Sequence, residues 1–146
     1  MAGKLSVTVT KHINAHVASV WQAFTDPALI KQYLFGTTVT SDWKLGSDIT
    51  YTGEWEGKSY KDKGQIIDVI PFKKLHTTYW SGMSGKADKP ENYVNVYYEV
   101  EPEGDGSKVS ITQDGIENEA GVEHMKENWG KVLEGMKKLL EGISNN

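Results

Sequence analysis

From Val122 to Ile143 the sequence repeats apolar side chains at the spacing of an α-helix, and no other stretch constrains the fold as much. Val122, Met125, Trp129, Leu133, Met136, Leu140 and Ile143 fall on one face. Val132 and Leu139 widen that face to roughly 120° of arc, at about 100° per residue. Asn118 and Gly142 are candidate caps. Glu119 and Glu123 at the start and Lys137 and Lys138 near the end suit the helix dipole. Glu127 with Lys131, and Glu134 with Lys138, stand in the favourable i,i+4 order. Such a stripe has to be buried against another element. Being rich in Met and Trp, it suits an adaptable surface as well as a tight core.

The rest of the chain supplies a sheet for that helix. Leu5, Val7, Val9 and Ile13 alternate with polar residues as in a half-buried strand, with Lys11 the one exception on the inward phase. Asn14 is a cap candidate for a short helix whose face is Val17, Val20, Trp21 and Phe24. Asp26-Pro27 starts a second helix, because Asp suits the cap position and Pro the first helical one. Leu29, Ile30, Tyr33 and Leu34 form its face, and Gly36 ends it. From Thr37 to Gly115 the pattern is β throughout, broken by turn residues, and predicts six strands near 38–44, 48–56, 59–70, 74–80, 92–101 and 108–114. Their connections are too short for parallel crossovers, so the sheet should be an antiparallel meander. The expected fold class is α+β, ordered β-α-α-β6-α. A curved antiparallel sheet would wrap around the long C-terminal helix in one domain spanning residues 1–146. Helix and strands have matching lengths of roughly 30 Å, so the helix is expected to lie along the whole concave face.

Several function classes drop out. The chain has no Cys, which removes disulfides, thiolate nucleophiles and cysteine metal sites. Its first sixteen residues alternate instead of forming an apolar run, and no stretch approaches the length of a membrane span. A cytoplasmic protein that does not insert into membranes is expected. All basic side chains are Lys, none Arg, and the net charge is -4. Nucleic acid is therefore not an expected partner, since Arg is the usual clamp for phosphates. Neither an HExxH pattern nor a Gly-rich phosphate loop occurs, so no metal and no cofactor is expected. His12 and His76 fall on the outer phase of their strands, His16 at a helix start and His124 beside the apolar stripe, and all four read as solvated. The carboxylates read as mostly outside: Asp42, near Trp43, and the strand-end Glu54 or Glu99 are the candidates for an acid-base pair at a cavity mouth, but alternation puts Glu54 and Glu99 on the wet face. No nucleophile and base are paired, and binding is expected rather than catalysis.

The candidate ligand-binding residues are those that the pattern turns inward. They are Tyr51, Trp55, Tyr79 and Tyr98 from the sheet and Met125, Trp129, Leu133 and Met136 from the last helix, with Leu34 and Phe35 as a lip. An apolar pocket lined by aromatics with a few phenolic hydroxyls is the usual composition of a ligand site. Two fates are open to these side chains, cavity wall or filled core. Gly53, between two inward aromatics, marks either room for a ligand or a bend of the sheet.

Three motifs carry a family resemblance. The first runs Ile13-Asn14-Ala15-His16-Val17-Ala18-Ser19-Val20-Trp21, followed by Thr25-Asp26-Pro27. The second leads from Gly64 through Ile66, Ile67, Asp68 and Pro71 to Leu75, and the third is Asn128-Trp129-Gly130-Lys131-Val132-Leu133. With the order of elements, they make the chain similar to the activator of heat-shock-protein-90 ATPase homologue-like family. That family lies within the START/Bet v allergen helix-grip superfamily, also called SRPBCC. His16 stands where the family usually has Pro, and Tyr33 where it often has Trp. The resemblance implies a helix-grip fold with a cavity between the long helix and the sheet, and an apolar small molecule or lipid as its partner. It leaves two alternatives: a protein-interaction domain with a chaperone or other protein partner, and a cyclase or hydrolase using the same cavity. A polar group pointing into the apolar pocket would mark the last. The chaperone activators of the family carry this domain behind a separate N-terminal one, so their activity is not expected to follow from the resemblance alone.

Overall fold

A computed structural model describes residues 3–82 and 85–144, apart from the side chains of Trp55, Ile143 and Ser144. Alternation in the first strand and helical spacing after it produce β1 (Leu5–Ile13), α1 (Val17–Thr25) and α2 (Pro27–Tyr33). The turn-punctuated middle gives β2 (Thr38–Ser41), β3 (Asp48–Trp55), β4 (Lys58–Ile70), β5 (Lys74–Ser81), β6 (Val94–Glu103) and β7 (Gly106–Ile116). The apolar stripe becomes α3 (Glu119–Ser144). The seven strands form one sheet in the order β1-β7-β6-β5-β4-β3-β2, every pair antiparallel. β2 to β7 are a meander, and β1 returns to pair with β7. The helices α1 and α2 therefore carry the chain from one edge of the sheet to the other. This is the antiparallel α+β architecture that the sequence pattern predicts, and the helix-grip fold that the family resemblance implies.

The caps divide between expected and unexpected. Asp26 accepts a hydrogen bond from the Ala28 N–H at 2.9 Å, with Pro27 opening α2. Asn118 accepts from the Gly121 N–H at 2.8 Å and starts α3. Asn14 does not cap α1: His16 occupies that position without a side-chain bond. Asn14 is drawn elsewhere, its N–H donating to Glu141 Oε2 at 3.0 Å and its side-chain oxygen lying 2.9 Å from His12 Nε2. Gly142 lies inside α3 instead of capping it.

Two features shape the sheet around β4. Its register against β5 shifts between Ile66 and Asp68, and a bulge of this kind bends a strand and increases its twist. At Gly64 the β4 and β5 backbones approach so closely that a Cβ would collide with the Thr78 carbonyl oxygen. Only glycine fits there.

The core is densest where α1, α2 and the C-terminal half of α3 meet the sheet. Ile13, Val20, Ala23, Ile66, Val109, Ile111, Leu133 and Met136 are fully buried. The long helix does not lie along the whole concave face: it packs against β1 and β7 and touches α1 and α2. Val132, Leu133, Met136 and Leu140 are buried, whereas Val122, Met125 and Trp129 are only half-buried. Lys11, the exception in β1, meets Glu134 of α3 at 2.8 Å, so Glu134 reaches across to the sheet instead of along the helix to Lys138. No helix among the described residues is long and apolar enough to cross a membrane.

Candidate functional site

Because the N-terminal half of α3 stands off the sheet, a cavity of about 480 Å³ remains between them. Strand alternation supplies most of its wall. Tyr51 of β3 and Tyr79 of β5 meet edge to face with ring centroids 5.4 Å apart. Tyr98 of β6 meets Trp129 of α3 in the same way at 6.1 Å, an arrangement that aromatic quadrupoles favour. Val94 and Val96 floor the chamber, Met125 and Val132 close it from the helix, and Leu34 and Phe35 stand at its lip. Phe35 is 69% exposed and held at a φ of 57°, a left-handed conformation unusual for a bulky side chain. Such local strain is often found at ligand clamps.

Of the residues that the sequence turns inward, Leu34, Phe35, Tyr51, Tyr79, Tyr98, Met125 and Trp129 come together around this cavity. Leu133 and Met136 do not line it. Both are fully buried beneath it, because they lie further along α3, where the helix touches the sheet and leaves no room. The Trp55 side chain lies outside the described residues. Gly53 marks neither an empty niche nor a bulge: the Tyr60 ring, cross-strand from it, fills the space where its Cβ would point. The Tyr60 hydroxyl is in turn 2.6 Å from Thr37 Oγ1.

Polar groups enter the chamber that the apolar pattern does not pick out. Asp62 of β4 is 8% exposed and lines the cavity. Its Oδ2 accepts from the Tyr79 hydroxyl at 2.5 Å and its Oδ1 from the Gly82 N–H at 3.2 Å. Gln113 of β7 accepts the Trp129 indole N–H at 2.9 Å, and Asn128 adds an amide from the helix. The signal for two of them was period two alone. Asp62 shares the phase of Gly64 and buried Ile66, and Gln113 shares that of Val109 and Ile111. By contrast Glu54 and Glu99 are exposed, as alternation predicts, and Asp42 is exposed too.

Burial, followed by the hydrogen bond to Asp62, raises the Tyr79 phenol far above its ordinary range. Burial likewise raises Tyr98. For Tyr51 burial comes first and the neighbouring Tyr98 and Tyr79 add to it. All three are neutral hydroxyls at any ordinary pH. The Thr77 hydroxyl, 1% exposed, lies near enough to oppose the rise at Tyr51 without completing a hydrogen bond of good geometry. Among the described residues no histidine lines the chamber. Among the described residues no group of three or more His, Asp or Glu side chains is placed to hold a metal ion. The arrangement can therefore enclose an apolar body and address it with the Asp62 carboxylate, the amides of Asn92, Gln113 and Asn128, the Lys86 ammonium group and neutral hydroxyls.

Comparison with known proteins agrees with this architecture. The family model described as "Activator of Hsp90 ATPase homolog 1-like protein" matches residues 14–141. The solution structure of ChR145 from Cytophaga hutchinsonii is 43% identical over 100% of both chains, with a TM-score of 0.85. The Aha1 dimer of Colwellia psychrerythraea is 17% identical, covering 94% of this chain and 96% of that one, with a TM-score of 0.74. CalU16 of Micromonospora echinospora is 19% identical over 96% of this chain and 83% of its own, with a TM-score of 0.71. These last two show likeness of fold alone. No curated protein matches the sequence. With nearly the whole chain matched by the family model and a full-length relative at this level of identity, the chain belongs to the activator of Hsp90 ATPase homolog 1-like family.

Proposed function

We propose that the protein binds a small, largely apolar molecule in the chamber between α3 and the sheet. One observation carries this reading: the aromatic residues at the N-terminal half of α3 and on β3, β5 and β6 face a cavity of about 480 Å³ instead of filling it. That volume lies within the range of roughly 300 to 1,000 Å³ usual for small-molecule pockets. Trp129 stands in the wall, so occupancy should change tryptophan fluorescence. Native mass spectrometry of protein purified without detergent should reveal a co-purified molecule. Titration with fatty acids, flavonoids and hydrophobic dyes should shift fluorescence and raise the melting temperature, because a ligand bound only by the folded state stabilises it. No response to any of them would remove the reading.

Asp62 favours a second reading, a cyclase or hydrolase working in the same chamber. A carboxylate in an apolar cavity is a candidate base, but among the described residues no histidine joins it there, so binding remains the better conclusion. Turnover of an activated ester or a cyclisable polyketide analogue, lost in Asp62→Asn, would reverse that preference. The family relation to chaperone activators also supports a search for a protein partner. A pull-down with the chaperone tests it.

A further inference from the structure

Among the described residues Asp62 is the one carboxyl group lining the chamber, and its surroundings are specific. Tyr79 and Gly82 each donate to one of its oxygens, at 2.5 and 3.2 Å. A carboxylate has roughly four acceptor positions, so these two bonds leave acceptor capacity on a group that lines the cavity. The lysine of the same wall, Lys86, is ion-paired with Glu117 outside. The remaining polar wall groups near the helix, Gln113 and Asn128, are neutral. An anionic headgroup entering the chamber would therefore meet a fixed negative charge, in surroundings where charge repulsion is poorly screened. A donor would meet an acceptor already oriented by two hydrogen bonds.

We propose that Asp62 is the polar anchor of the cavity, and that it selects ligands presenting a hydroxyl or amine donor on an apolar ring system while rejecting fatty-acid-like carboxylates. This rests on the reading of the chamber as a ligand site and narrows the class of ligand it takes. Tyr79 is a positioning residue: its hydroxyl holds the carboxylate against the β5 side of the wall and leaves the free lone pairs toward the ligand. Hydrogen bonds to a charged partner are stronger than neutral ones. The anchor should accordingly be worth about tenfold or more in affinity between a donor and its methylated counterpart.

The experiment compares 2-naphthol, 2-methoxynaphthalene and 2-naphthoate, which share one ring system, by calorimetric titration of the intact chain. The wild-type protein should bind 2-naphthol about tenfold or more tighter than 2-methoxynaphthalene, and 2-naphthoate weakest. Asp62→Asn keeps an acceptor for the Tyr79 hydroxyl but removes the charge, so the first ratio should fall several-fold and 2-naphthoate should gain affinity. Asp62→Leu, checked for folding by circular dichroism, should bring the naphthol and methoxynaphthalene affinities together. Binding of all three probes with equal affinity in the wild type, or an unchanged order in Asp62→Asn, would overturn the anchor and leave the ligand chamber standing. Failure of every probe to bind, 2-methoxynaphthalene included, would overturn the chamber and the anchor together.

Discussion

Gly64 and Gly130 sit in motifs shared with the family but should respond oppositely to alanine. At Gly64 the added methyl would meet the Thr78 backbone, which cannot step aside without opening the β4–β5 ladder. Gly64→Ala should therefore destabilise the protein by about 3 kcal/mol or more, measured by denaturant unfolding. At Gly130 nothing lies within 4 Å of the added atom, so Gly130→Ala gains helix propensity of up to about 1 kcal/mol. For a chain of this size that is a rise of roughly 2 to 4 °C in melting temperature. The single-residue features were the least legible part of the sequence. Asp62 had the inward phase of Ile66, yet a carboxylate is so often solvated that phase alone reads as an exception to be placed outside. Gly53 was ambiguous because nothing in a linear pattern shows that the Tyr60 ring folds over its cross-strand partner.

Elements, in contrast, were largely written in periodicity and punctuation, since strand alternation and turn residues are local and do not depend on distant packing. What locks the elements together is not local. His12 at the end of β1 lies 2.7 Å from Glu103 beside the β6–β7 turn, and it neighbours Asn14, which holds Glu141 of α3. The hydrogen bond that the imidazole donates to Glu103, followed by the one it donates to the Asn14 side-chain oxygen, raises the His12 pKa above 6.5. Its contribution to stability is therefore complete below 6.5 and is lost as pH rises through the higher folded value. Glu141 behaves in the opposite sense. The Asn14 N–H, followed by Lys137, lowers its pKa below 4.5, so its contribution is complete above 4.5 and is lost as pH falls through the lower folded value. Both are in place between 4.5 and 6.5. Thermal melts from about pH 4 to 8 should show the gap between wild type and His12→Gln widest in that window and closing on the alkaline side. Asn118 is the matching device at the other end of α3. Asn118→Ala should cost about 1 kcal/mol and speed amide exchange in the first turn of the helix, the turn that leads into the cavity wall.

At the scale of the whole molecule, the two halves of α3 differ in what they face. Its stripe predicts one continuous buried face, because a periodic pattern records which side chains are apolar and not how far the opposite sheet has curved away. The C-terminal half is structural: Leu133 and Met136 are fully buried and Leu140 nearly so. The N-terminal half, with Met125 and Trp129, faces the chamber. Truncation should therefore have graded consequences. A fragment ending near Gly115 exposes the faces of β1 and β7 that α3 covers and should not fold, which its circular dichroism and melting curve would report. Met136→Ala removes a buried side chain from a site with no exposure and should cost about 2 to 5 kcal/mol, leaving any ligand affinity of the surviving folded protein nearly unchanged. Met125→Ala, on a half-buried wall position, should cost less than about 1 kcal/mol and instead alter the binding of an apolar probe, because it enlarges the chamber without emptying the core. If the two substitutions destabilised the protein equally and neither affected probe binding, α3 would be one packed face along its whole length, and the space beside Trp129 would have no part in binding.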